Sequence, residues 1–391
     1  MIIYNTTWLD NLLIREKVYA AAHAGEISAE EVRHIEKVYP VGFYSPNIII
    51  RAGIFLLTTV IISFSFGLTA MIFSPKDEYI PVWCIIWAII TYRILEVKVK
   101  KKHHFRAGTD DALLWISGGF LLTGFLSLTE HTFDSYHPVV YHLVTAGSIF
   151  LLGLYLTLRF ADRLMAILCA LSLLAFFALI WNNTGALGST TLPFFIMVLA
   201  VAGYYLAKRS QNNDKNLYYL HCLVPMQPLG LIILYLAGNY YAVEQLGNRL
   251  YSVNGGYQVP LPYFFWIWTA TIPVLYVFLG SRQKDRILLR TGLVLLAVTG
   301  FTFRFYFHRM PAEILMTILG TMILGLSYAL IRLLKTPKNG FTYEDQDDDG
   351  SAENPKIESL IISAIPTDAG SGASSRFGGG SFGGGGSSSN F

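Results

Sequence analysis

Two stretches of this chain carry residue types and spacings that can do chemistry. The first, "TEHTFDSYHPVVYH", concentrates Glu130, His131, Asp134, His137 and His142. His131, Asp134 and His137 recur at intervals of three, and imidazoles beside a carboxylate suit zinc or copper. Pro138 interrupts any helix that would align them with His142, and no cysteine joins the group, so a solvated interfacial loop is the competing reading. The candidate metal ligands are His131, Asp134, His137 and His142. The second stretch is "VPMQPLG", in which Pro225 and Pro228 flank Gln227 inside a long apolar run. Each proline removes a backbone donor and obstructs the preceding turn, which breaks or kinks a helix. Broken helices at the membrane midplane are where transporters often hold substrate, and prolines are also tolerated there for packing alone. Pro225, Gln227 and Pro228 are therefore the candidate substrate-binding set, with the Gln227 amide as its polar contact.

The rest of the chain offers chemistry little else. There is no Gly-Lys-Ser phosphate loop, no His-Glu-x-x-His and no Gly-x-Ser-x-Gly. Cys84, Cys169 and Cys222 lie singly in apolar runs, without the spacing of a zinc ribbon, a haem site or a disulfide framework. No catalytic residue and no cofactor is expected, and an enzyme is the less favoured class.

The elements that must position these residues follow from composition. Of 391 residues, 53% are hydrophobic and 14% are charged, against about a quarter charged in a soluble domain. The solvent for most of this chain is lipid. A net charge of +3 is too small and too scattered to argue for nucleic acid. A bilayer core about 30 Å thick needs about 20 apolar residues of helix. Ten segments qualify: 48–73, 80–97, 112–128, 139–158, 164–181, 192–207, 217–238, 262–279, 287–303 and 312–334. The sixth and ninth are short, so the count carries an error of one.

Lys and Arg alternate between the connections. Arg15, Lys17, Arg33 and Lys37, the run 98–106, Arg159 and Arg163, 208–215, 282–290, Lys335 and Lys338 fall on one side. Lys76, Arg249, Arg304 and Arg309 fall on the other. By the positive-inside rule both termini are expected in the cytoplasm of a bacterial inner (plasma) membrane protein. No cleavable signal-peptide pattern opens the chain.

Residues 1–47 read as a helical hairpin. Thr6 or Thr7 can cap a first helix, and Gly25 suits the left-handed residue after it. Ser28 with Glu31 makes a capping box for a second helix that stops before Pro40. The pair is too small to bury much alone, so it is expected to dock on the basic inner loops or on a partner. "IREKVYAAAHAGEISAEEVRHIEKVYP" followed by "GFYSPNIIIRAGIFLLT" resembles a bacterial family of multi-pass membrane proteins of unknown function. The likeness is strongest over residues 1–60. It implies a fold type and a location, and supplies no activity.

The inner loop "KVKKKHHFRAGTDD" reads as a solvated basic stretch facing anionic headgroups. The longest outer connection, 239–261, shows short strand-like runs about a turn at Asn254–Gly255–Gly256. Residues 335–391 begin with an acidic spacer and end in Gly and Ser with isolated Phe, a composition that stays disordered. The expected fold class is therefore all-α. A polytopic bundle (48–334) lies between the hairpin (1–47) and a disordered cytoplasmic tail (335–391). The bilayer is one partner, and a cytoplasmic protein bound by hairpin or tail is another. A non-enzymatic scaffold, sensor or assembly factor leads. A transporter or channel for a neutral or lipid-like solute comes next, and an outward-facing metal-dependent membrane enzyme third.

Overall fold

A computed structural model describes residues 2–23, 27–133, 138–251 and 257–306, with Thr317, Gly320, Thr321, Leu324, Gly325, Tyr328 and Arg332 beyond them. Among the described residues the chain is helical, and its only β feature is a single parallel bridge between Tyr44 and His104. Nine helical segments there are long and apolar enough to cross a membrane. The protein is an all-α, multi-pass membrane bundle. Most of the tenth expected span, 312–334, lies outside the described residues; those described within it are helical.

The first half is built from α3 (Ile48–Phe73), α4 (Ile80–Lys102), α5 (Thr109–Phe133), α6 (Pro138–Phe160) and α7 (Arg163–Asn182). Short polar residues start these helices. Asn47 accepts the Ile50 amide at 3.0 Å, and Asp162 accepts the Met165 amide at 2.8 Å, each satisfying a first-turn donor that the helix leaves free. Asp110 does the converse, reaching back to the Ala107 amide at 2.8 Å to close the turn before α5. That turn needs Gly108, whose φ is +89° and where a Cβ would stand 2.2 Å from the Arg51 carbonyl oxygen. α4 packs along α5 and α6 along α7. Trp87, Leu95, Leu113, Leu156, Phe160 and Met165 make their shared core. α3 buries Ile62 alone and turns Leu56, Phe64, Met71 and Ile72 outward, as a lipid-facing helix should.

The second half contains α8 (Ala186–Gln211), a 3-10 turn at Asp214–Tyr219, α9 (Leu220–Leu223), α10 (Met226–Gly238), α11 (Tyr240–Tyr251), α12 (Pro262–Gln283) and α13 (Arg286–Tyr306). Both spans expected to be short are full length, because polar residues at their ends stay helical. Thr190 and Thr191 at the start of α8 return their hydroxyls to carbonyls four residues back. α12 and α13 approach closely, since a Cβ on Gly292 would meet the Val277 nitrogen at 2.9 Å. Helix association in lipid depends on such close packing rather than on expulsion of water.

The connection 239–261 begins with α11, which runs to Tyr251 and takes in the start of the first strand-like stretch. Asn239 accepts the Ala242 amide at 3.1 Å and caps it, and Val243 and Gly247 face the bundle. Residues 252–256, which hold the expected turn, lie outside the described residues.

The hairpin forms from α1 (Thr6–His23) and α2 (Ala29–Val38). The Ser28–Glu31 capping box is complete. An Arg15–Glu36 ion pair of 2.9 Å and the Tyr19–Glu36 hydrogen bond join the two helices. Of the two docking options, the structure shows the basic loops. Trp8 meets Phe43 edge-on at 5.3 Å, and Phe43 stacks on Phe105 of the α4–α5 loop at 4.8 Å. The Ile3 amide donates to the Arg159 carbonyl at 3.0 Å, and Tyr218 donates to Asp10 at 2.7 Å. The end of the bundle that receives the hairpin thus gathers the starts of α3, α5, α7 and α9 with the end of α6.

Candidate functional site

The loop read as a solvated basic stretch folds inward at the hairpin end. Ala107 is fully buried and Asp110 is 3% exposed, because Phe105 packs against Tyr4 and Phe43 and drags the following residues under the hairpin. Around this turn the fold assembles ionisable side chains from six segments. Arg51 comes from α3, Arg106 from the loop, Asp110 and Asp111 from α5, and Asp162 and Arg163 from the start of α7. His221 comes from α9, and Glu16 is lowered onto them by α1.

The aspartates are already engaged. Asp111 pairs with Arg51 at 2.8 Å, and Asp110 and Asp162 hold the backbone amides described above. Arg163 reaches His221 Nδ1 at 3.0 Å. An arginine only donates, so Nδ1 is the acceptor and the neutral ring carries its hydrogen on Nε2. That Nε2 lies 3.9 Å from Glu16 Oε1, too far for a hydrogen bond. Arg106 lies above the Phe105 ring, in electrostatic range of Glu16, Arg51, Asp162 and Arg163.

Burial sets the electrostatics of this place. It pushes the Glu16 carboxyl up against the lowering pull of Arg106 and Arg163. It pushes the Arg106 guanidinium down, and the like charges of Arg163 and Arg51 add to that. Tyr4 is driven well above the ordinary phenol value by burial and then by Asp110 and Asp111. Asp162 is raised by burial, although its capping bonds oppose this. Charge is being held at a partly buried seam between hairpin and bundle.

The two candidate sets read from sequence lie elsewhere. Asp134 and His137 lie outside the described residues, as does the side chain of His131; His142 is placed on α6, next to the ring of Tyr141. Among the described residues no group of three or more metal-binding side chains forms.

The prolines of the seventh span do interrupt its helix, between Leu223 and Met226, while Val224 and Pro225 keep right-handed backbone angles. Gln227 is 6% exposed. Its Nε2 donates to Gln211 Oε1 at 2.6 Å, and Gln211 in turn donates to the Leu223 carbonyl at 2.9 Å. The break is therefore level with the last residue of α8, near the hairpin end, and not at the centre of the bundle. Gln211 supplies the donor that the broken helix denies to Leu223. The expected set of Pro225, Gln227 and Pro228 is brought together as a braced joint, and the Gln227 amide is committed to it.

A third polar group was not visible as a site. Tyr235, Asn239, Thr269 and Thr302 are at most 1% exposed and link α10, α12 and α13. Tyr235 and Thr299 share a hydrogen bond of 2.8 Å, Asn239 donates to Tyr235 at 2.9 Å and to Thr302 at 3.0 Å, and Thr269 accepts the Tyr240 amide at 3.0 Å. The only signal in the sequence is the spacing of Tyr235 and Asn239, one helical turn apart; their threonine partners are more than 60 residues away. Its partners are all within the protein, which marks it as a brace between helices. Compared with known proteins, the chain matches no family model, no curated protein and no solved structure.

Proposed function

We propose that this protein is a non-enzymatic scaffold or sensor of the bacterial plasma membrane, and that its working element is the N-terminal hairpin. One observation carries the reading. α1 is seated on the bundle through Leu9, Trp8 and Glu16, whereas α2 buries none of its residues. Its Arg33, His34 and Lys37 are exposed, as are Val38 and Tyr39 beyond them. One helix of the pair reads the state of the bundle and the other presents a mixed polar and apolar face to a protein partner. The alternation of Lys and Arg along the loops supports a cytoplasmic position for this face and for the tail that follows residue 334. The resemblance of residues 1–60 to uncharacterised multi-pass proteins agrees with this role and adds no activity.

Capture experiments test it. Full-length protein in native membranes should retain a cytoplasmic partner that is lost when Arg33, Lys37 and Val38 are replaced by Ala. Equal capture by the wild type and the triple variant would sink the proposal. A carrier of neutral solute centred on Gln227 is the second reading. The helix interruption favours it, and the Gln227–Gln211 bond of 2.6 Å counts against it. An outward-facing metal enzyme built on His131, Asp134, His137 and His142 is tested by metal analysis of the purified protein.

A further inference from the structure

Three groups converge at the seam between α1 and the bundle without closing a bond. Glu16 comes from α1, Arg106 from the α4–α5 loop, and His221 from α9. Arg106 has no hydrogen bond or ion pair among the described residues; its guanidinium carbon lies 5.3 Å from the centre of the Phe105 ring. His221 uses Nδ1 on Arg163, which leaves Nε2, 3.9 Å from Glu16 Oε1, as its remaining donor. Glu16 has that long contact and no hydrogen bond among the described residues. Two donors from two separate elements thus act on one carboxylate that bonds to neither, His221 from 3.9 Å and Arg106 through its charge.

A guanidinium and an imidazole N–H that lie in range of one carboxylate are a recognition pair for a tetrahedral oxyanion, which can accept from both at once. The aspartates nearby do not fill that role, because Asp111 holds Arg51 and Asp110 and Asp162 hold backbone amides. The point is reachable. The side chains of His221 and Glu16 are 34% and 31% exposed.

We propose that Arg106 and His221 form a binding site for a phosphate-type anion, that Glu16 stands in it as a loosely held internal competitor, and that an entering anion displaces Glu16 and loosens α1 from the bundle. The anion is a phosphomonoester group, carried by a soluble molecule or by a lipid headgroup. This deepens the hairpin reading and rests on it only for the consequence of binding.

The test uses full-length protein in phosphatidylcholine nanodiscs, titrated calorimetrically with inorganic phosphate against a chloride control. Hydrogen exchange of the α1 amides is followed in parallel. Wild type should bind phosphate and lose protection in α1. Arg106→Gln should weaken binding by about tenfold or more, the scale of a lost charge-assisted hydrogen bond. Glu16→Gln should tighten it, because the competing carboxylate charge is gone. Opposite signs from two substitutions at one seam cannot come from general unfolding. Saturable binding of free phosphate identifies a soluble source. A response that appears only when phosphatidic acid is included in the nanodisc, and that Arg106→Gln removes, assigns the site to a lipid headgroup. No response to either probe, or equal binding by wild type and Arg106→Gln, overturns the proposal. Phosphate binding without partner capture by α2 would leave the site standing and remove the hairpin reading; capture without binding would do the reverse.

Discussion

Arg51 Nε and Asp111 Oδ2 meet at 2.8 Å, joining the start of α3 to the start of α5 across 60 residues of chain. The contact exists because the backbone between α4 and α5 passes against the Arg51 carbonyl at Gly108. Two effects hold this corner, and their sizes differ. The ion pair is partly exposed on its arginine side, 37%, so solvent screens it and it contributes at most about 1 kcal/mol. The glycine is a steric requirement: an added Cβ collides with backbone, and its φ of +89° is strained for any other residue. Gly108→Ala should therefore destabilise the bundle by about 2 kcal/mol or more, and Arg51→Gln or Asp111→Asn by less than half of that. Melting of the three variants in one detergent checks the order. An Asp111→Asn effect larger than that of Gly108→Ala would refute it.

Glu16 makes hairpin docking depend on pH, with a defined sign. Its carboxyl is raised from 4.5 by burial, against the pull of Arg106 and Arg163, so the docked state holds the proton more tightly than the free chain does. Docking is then strongest below the ordinary carboxylate value. It weakens as pH rises from about 4.5 through the raised value. Asp162, also raised, acts in the same direction. Glu31 and Glu36 of the hairpin are lowered by their hydrogen bonds and act in the opposite direction, losing their contribution as pH falls below 4.5. Protection of the α1 amides, corrected for the intrinsic pH dependence of exchange, should fall between mildly acid and neutral pH. Glu16→Gln should flatten that decline; an unchanged profile would show that another group sets it.

Asn239 is the hub of the brace among α10, α12 and α13, donating to Tyr235 and Thr302 and accepting the Ala242 amide. Asn239→Leu takes a partner from the Ala242 amide and from two hydroxyls, at a position only 1% exposed. The expected loss is about 1–3 kcal/mol. Tyr235→Phe removes one hydroxyl and should cost about 1 kcal/mol, near the usual value for a polar contact between membrane helices. Unfolding measurements in detergent distinguish the two. Equal, negligible losses would mean that packing of Leu231, Tyr276, Leu288 and Leu295 holds these helices together without the network.

Local signals were legible in the sequence, and contacts between distant segments were not. The Ser28–Glu31 box and the apolar runs are each written in local sequence; the box forms as expected, and nine of the ten runs are spanning-length helices among the described residues. The strand-like run before the turn at 254–256 overlaps the end of α11, because Leu, Tyr and Val suit a strand as well as an amphipathic helix; the cap from Asn239 favours the helix as far as Tyr251. The charged seam was invisible for a different reason. Glu16 sits inside α1, Arg106 in a loop, and Arg163 and His221 at helix starts; nothing local links them, and the docking of α1 adds Glu16 to the three that the bundle gathers.

The joint in the seventh span separates a packing role from a transport role. Gln211 holds both sides of the break, donating to Leu223 and accepting from Gln227. Gln211→Leu leaves a carbonyl and an amide unpaired, which costs about 1–3 kcal/mol if the joint is structural. Pro225→Ala restores the missing donor for the carbonyl four residues back and should recover part of that loss in the double variant, because the helix can then close over the gap. A carrier predicts otherwise: Pro225→Ala would stop flux at unchanged stability, since the interruption itself would be the moving part. Melting curves and uptake measured on the same four proteins decide between them. Recovery of stability in the double variant, with no solute whose flux follows Pro225, makes the joint a brace that lets α9 keep His221 beneath the hairpin while α10 runs on into the bundle.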